Sequence, residues 1–132
     1  MDDLLANWQR KEMPGIPASI NALWTQKVDG QYRYGLLVDD THANAQGFIH
    51  GGVLMTFLDH ALSLKVWQAA ERKPCTTIQL DTHFLSAVRP GQFITLEAQL
   101  LKQGKSLVFM RGVLMAADKA VAEAKGVWSV LG

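Results

Sequence analysis

The stretch from Val53 to Ala70 constrains the fold more than any other. Val53, Leu54, Phe57, Leu58 and Ala61, then Leu62, Leu64, Val66 and Trp67, place apolar side chains almost all round one helix. A helix that is apolar on nearly every side is buried on nearly every side. A single sheet covers only part of it, and 132 residues leave little chain for a further layer. The pattern implies a helix laid on a sheet, with a second copy of the chain over its other flank.

The remaining segments supply the sheet. Ala22–Val28 and Gln31–Val38 flank Asp29-Gly30, a strong hairpin signal. Thr76–Leu85 alternates, with Ile78, Leu80, Thr82 and Phe84 on one face, and ends before the Arg89-Pro90-Gly91 turn. Phe93–Leu101 turns at Gln103-Gly104-Lys105, and Leu107–Ala117 and Ala120–Val130 form a last pair around Asp118. Tight turns between consecutive strands give antiparallel pairing. The expected class is α+β, an antiparallel sheet of five to six strands with one long helix. Residues 2–10, DDLLANWQR, suit a short helix with acids at its start and Arg10 and Lys11 near its end, broken by Met13-Pro14-Gly15-Ile16-Pro17. No repeat or linker divides the chain, so one domain over 1–132 is expected: a lead-in over 1–20 and a core over 21–132.

A net charge of +1 gives no field to attract nucleic acid or an anionic membrane. A single cysteine, Cys75, excludes an internal disulfide and fits a reducing compartment. The Met-Asp-Asp start does not read as a secretory signal, and no apolar run reaches membrane-spanning length. A cytoplasmic protein is the expectation.

Within the helix, Thr56, Asp59 and Ser63 form a narrow polar stripe, with His60 beside it. A carboxylate in such a stripe is costly unless paired or useful. Asp59 is either satisfied by Ser, Thr or backbone donors, or it is a general base or nucleophile. The helix begins at His50-Gly51-Gly52. Either the glycines only turn the chain into the helix, or their bare backbone admits a ligand to the free N–H groups at the positive dipole end, equipment for holding an oxyanion.

Gly52 and Asp59 are seven residues apart on one helix, so about 10 Å along its axis. A base and an oxyanion donor each need to lie roughly 3 Å from the reacting group or its water. One helix cannot present both to one carbonyl, whereas two antiparallel copies can. The catalytic reading therefore requires a site shared between subunits.

The run Asn44, Gly47, His50-Gly51-Gly52, Asp59, with Asn44 six residues before His50 and Asp59 nine after it, resembles the PaaI-type acyl-CoA thioesterases of the hotdog-fold superfamily. The resemblance covers about Asn21 to Val130. It implies a hotdog fold, hydrolysis of an acyl-CoA to free acid and CoA, no metal or redox cofactor, and a homodimer or a dimer of dimers. Position by position, it makes Asp59 the base or nucleophile and gives the Gly51 amide the thioester oxygen. Asn44 and His50 would shape the site beside that glycine, and Thr77 would orient water or the acid in the subunit that carries Asp59. Gly52 would lie against substrate.

Coenzyme A carries phosphates, for which Arg89, Lys102, Lys105 and Arg111 are candidates, with the Lys102–Lys105 turn foremost. Each can equally be a solvated charge. His42, His50, His60 and His83 lack metal-ligand spacing, and His50 is expected to order the loop by hydrogen bonding. Cys75 reads as a small apolar residue, and Trp67 as core, interface or a wall of the acyl pocket. Two other functions compete: a hydratase or dehydratase acting on acyl thioesters, and a non-catalytic acyl-CoA sensor.

Overall fold

The computed structural model describes residues 5–131. Seven strands form one antiparallel sheet in the order β1-β2-β3-β5-β6-β7-β4, curled round one long helix. The strands are β1 (Gln9–Lys11), β2 (Leu23–Val28), β3 (Gln31–Leu37), β4 (Cys75–Phe84), β5 (Phe93–Gln103), β6 (Leu107–Ala116) and β7 (Lys119–Val130). The helix, α1, spans Gly51–Ala69, and single 3-10 turns occur at Ala18–Ile20 and Asp40–His42. This is the hotdog arrangement that the resemblance implied.

Six strands lie within two residues of their expected positions. Asp29 and Gly30 both adopt positive φ, 52° and 78°, the pair of left-handed residues that a tight hairpin turn needs. The seventh strand corrects the sequence reading, which placed Gln9–Lys11 in a helix. Those residues pair with Leu23–Thr25 instead. Of that expected helix, residues 2–4 lie outside the described residues. Gln9, Arg10 and Lys11 are all exposed, so no apolar period marks them as a strand. They are recruited by the otherwise open edge of β2, and Trp8 before them stacks edge-on against Phe93 at 5.0 Å.

The core lies between α1 and the concave face of the sheet. Leu54, Phe57, Leu58, Ala61, Leu62 and Val66 of α1 are buried against residues such as Leu36, Ile94, Leu114 and Trp128. A Cβ on Gly112 of β6 would come within 3.1 Å of the Leu62 methyl carbons, so the bare strand lets the helix approach closely. The sheet does not cover the whole helix: Val53, His60, Leu64 and Trp67 remain only half-buried.

The two edges of the sheet differ. One is closed by the three-residue β1. The other is β4, ten residues long, with Ile78 57% exposed and Phe84 49% exposed. Short edge strands blunt edge-to-edge pairing, and a long apolar one invites it.

Candidate active site

The loop before α1 is built by residues 39–50. Asn44 Oδ1 accepts from the Gln46 and Phe48 N–H groups at 3.0 and 3.1 Å, and the Asn44 N–H donates to the Phe48 carbonyl at 2.8 Å. Asn44 thus folds the loop that leads into α1. His50 does not order the loop through its side chain as the sequence suggested. It is the N-cap residue, with an exposed imidazole that makes no capping bond.

His42 does that work. Its side chain is 2% exposed, its Nδ1 accepts from the Asp39 N–H at 3.0 Å, and its carbonyl accepts from the His50 N–H at 3.0 Å. Since Nδ1 is the acceptor, the proton sits on Nε2, which has no partner among the described residues. The sequence reading weighed His42 only as a metal ligand. The usable signal was its place two residues before Asn44, after an Asp that caps the short turn.

At the start of α1 the Gly51 and Gly52 N–H groups make no hydrogen bond among the described residues, while those of Val53 and Leu54 turn back to the His50 carbonyl. Gly52 is open to solvent. Against Gly51 lies the Phe84 ring, whose Cζ is 3.1 Å from where a Cβ would stand. The amide end of the helix therefore has an aromatic wall on one side.

The polar stripe of α1 resolves residue by residue. Thr56 Oγ1 donates to the Gly52 carbonyl at 2.8 Å. Ser63 Oγ accepts from the indole of the fully buried Trp128 at 2.8 Å. Thr77 Oγ1 donates to Asp59 Oδ1 at 2.6 Å. Of the three, Asp59 keeps capacity in hand: Oδ2 accepts no hydrogen bond among the described residues. The register of β4 against β7 shifts between Thr77 and Gln79, leaving Ile78 as the extra residue. That irregularity bends the strand at the residue holding Asp59.

Two nearby groups are tuned by this setting. Burial lowers the His60 pKa, a drop partly offset by the Asp59 carboxylate. Burial and then the same carboxylate push the Cys75 thiol up, which keeps it a thiol rather than a nucleophile.

The basic candidates do not converge within one chain. Arg89 lies 4.7 Å over the Phe48 ring, beside the loop that precedes α1. Lys102, near the end of β5, and Lys105, in the β5–β6 turn, flank Gln103, which donates to the Ala69 carbonyl at the far end of the helix. Nineteen residues of α1 separate the two places, about 27 Å. Arg111 pairs with Glu123 at 3.3 Å. Trp67 faces a cleft on the β2–β3 side of the sheet, whereas Asp59 meets β4 at the opposite edge.

The Thioesterase superfamily family model matches residues 46–123, a span that carries His50, Gly51, Gly52, Asp59 and Thr77. Human acyl-coenzyme A thioesterase 13 is 31% identical over 72 residues, 54% of this chain and 51% of that protein. The chain thus spans about half the length of that curated relative. Zebrafish thioesterase superfamily member 2 superposes with a TM-score of 0.78 at 24% identity, covering 92% of this chain and 89% of that one. A hypothetical thioesterase protein of Streptococcus pneumoniae, solved with coenzyme A, gives 0.73 at 20% identity over 96% and 88% of the two chains. At these identities the structural likeness speaks for the fold. The family match takes in more than half of the chain, with α1, β4 and the last residues of the loop before α1, and by that match the chain belongs to the thioesterase superfamily.

Proposed function

We propose that this chain hydrolyses acyl-CoA thioesters to a carboxylic acid and CoA, in a cleft formed by two copies of itself. The observation that carries the reading is the state of two groups on one helix. Among the described residues the Gly51 amide has no acceptor, and Asp59 has one oxygen held by Thr77 and the other without a hydrogen bond. Both lie on the flank of α1 toward β4, whose edge is long, unpaired among the described residues and exposes Ile78 and Phe84. Pairing two such edges antiparallel brings the amide end of one helix to the middle of the other, as the roughly 10 Å offset requires.

In that cleft the Gly51 amide of one copy polarises the thioester carbonyl and takes up the negative charge that develops on its oxygen. Asp59 of the other copy either removes a proton from an attacking water or attacks directly. In the first case the C–S bond breaks as the tetrahedral adduct collapses, and CoA leaves with a proton. In the second a mixed anhydride forms, CoA leaves, and water opens the anhydride. Thr77 keeps the carboxylate aimed in either case. The antiparallel arrangement also resolves the scattered cations, since Arg89 of one copy then lies toward the Lys102–Lys105 turn of the other, at the mouth where the CoA phosphates would be.

The test is thiol release from a panel of acyl-CoAs by the parent and by Asp59→Asn. The parent is expected to turn over at least one of them, and the variant to lose on the order of a hundredfold or more in kcat/KM. A parent that binds acyl-CoA without releasing thiol, or an unimpaired Asp59→Asn, contradicts the proposal.

A further inference from the structure

A cavity of about 440 Å³ lies outside the contacts that join α1 to β4. It lies between α1 and the strap Met13–Ile16, on the β2–β3 side of the sheet, away from Asp59 and Thr77. Its volume is within the range of small-molecule sites, about 300–1,000 Å³. The walls are apolar, with Ile16, Leu23, Leu64 and Trp67 among them. Two nitrogen-bearing side chains stand at its border. Lys11 is exposed and makes no ion pair among the described residues, and His60 makes no hydrogen bond among them.

Polar side chains meet in one part of the cavity lining. Gln68 Nε2 donates to the Tyr34 hydroxyl at 3.0 Å, and both residues line the cavity. Beside them Lys65 Nζ donates to the Tyr32 carbonyl. Gln68 also lines a second cavity of about 390 Å³, with Ala98, Leu100 and Met110 on its walls. Gln68 thus borders both spaces, the second of which also has Gln31 and Lys65 on its lining, and its bond to Tyr34 forms a polar bar along the lining of the first.

The geometry points to a second ligand site, separate from the Asp59 cleft, that takes a carboxylic acid with a straight apolar tail: the tail between Leu64, Trp67 and the strap, the carboxylate toward Lys11, and the Gln68–Tyr34 bond limiting tail length. An apolar slot with the Lys11 ammonium at its rim complements that class, and an acid of this kind is also what thioester hydrolysis releases. The inference stands on the cavity alone and does not need the chain to be an enzyme.

Calorimetric titration of the full chain with straight-chain carboxylic acids of increasing length tests it. One acid should bind per chain, with affinity rising about fourfold per added methylene until the tail meets the bar, then levelling. Gln68→Ala should move that break to longer acids. Leu64→Trp should weaken binding by about tenfold or more by filling the slot. Met13→Trp, on the exposed strap, fills it from the other wall should Leu64→Trp not fold. Lys11→Glu should cost about fivefold. Free CoA and a non-hydrolysable acyl-CoA thioether should not displace the acid. Absence of saturable binding, indifference to the filling variants, or displacement by CoA overturns the inference. So does a change in assembly mass with Met13→Trp, which would show that another copy occupies the slot. None of these readings depends on catalysis, so failure here and failure of the thioesterase proposal are separate results.

Discussion

Thr77 Oγ1 donates a 2.6 Å hydrogen bond to Asp59 Oδ1, joining the start of β4 to the middle of α1. This bond holds one carboxylate oxygen, and among the described residues the other accepts no hydrogen bond. A bond to a charged acceptor contributes about 1.5–3 kcal/mol. Thr77→Val should therefore lower kcat/KM by roughly tenfold to a hundredfold, with KM little changed, and Thr77→Ser should restore most of it. Steady-state thiol release checks the split, and an unchanged kcat in Thr77→Val contradicts the assigned role.

The Phe84 ring makes Gly51 sensitive to a single methyl group. A Cβ there would meet Cζ at 3.1 Å, so Gly51→Ala must push the ring aside. Activity should fall, and stability should drop by about 1 kcal/mol. Removing the ring should relieve the clash, so Gly51→Ala with Phe84→Leu should recover the stability loss. Denaturant midpoints of the two single variants and the double variant measure this coupling.

His42→Ala removes the acceptor for the Asp39 N–H and leaves a void behind the loop that delivers Gly51. A loss of about 1–3 kcal/mol of stability is expected, with lowered kcat. Thermal unfolding beside thiol release checks both. A variant as stable and as active as the parent would show that the loop is ordered by other means.

The helix with its odd acid, the hairpin at Asp29-Gly30 and the spacing from Asn44 to Asp59 were all legible in the sequence. Each is a local pattern that period, turn chemistry or spacing can express. What escaped is set by distant partners. Gln9–Lys11 have no strand pattern and become a strand because the edge of β2 is open. Ser63 stands on the polar stripe of the helix, and its partner is Trp128, 65 residues away. The sequence points to His50 for ordering the loop by hydrogen bonding, whereas the buried histidine that bonds the Asp39 N–H is His42. The Phe84 wall on Gly51 joins residues that sequence alone gives no reason to pair.

Acid should destabilise the fold in part through His60. Its folded pKa is lowered by burial, with Asp59 working weakly the other way, so the unfolded chain binds the proton more readily. The contribution is present above the ordinary histidine value of about 6.5 and is lost as pH falls through the folded pKa. His60→Gln should flatten the decline in stability below about pH 6.5. Denaturant midpoints across that range provide the check.

The most direct test mixes two inactive chains. Asp59→Asn and Gly51→Val are each expected to be inactive alone, the first lacking the acid and the second blocking the amide. After the subunits are exchanged, half of the dimers are mixed, and each mixed dimer holds one intact site formed by Asp59 of one chain and Gly51 of the other. A site shared between subunits requires activity to return to about a quarter of the parent's. Mixed dimers confirmed by mass that stay inactive, or a parent that works as a monomer, contradict it.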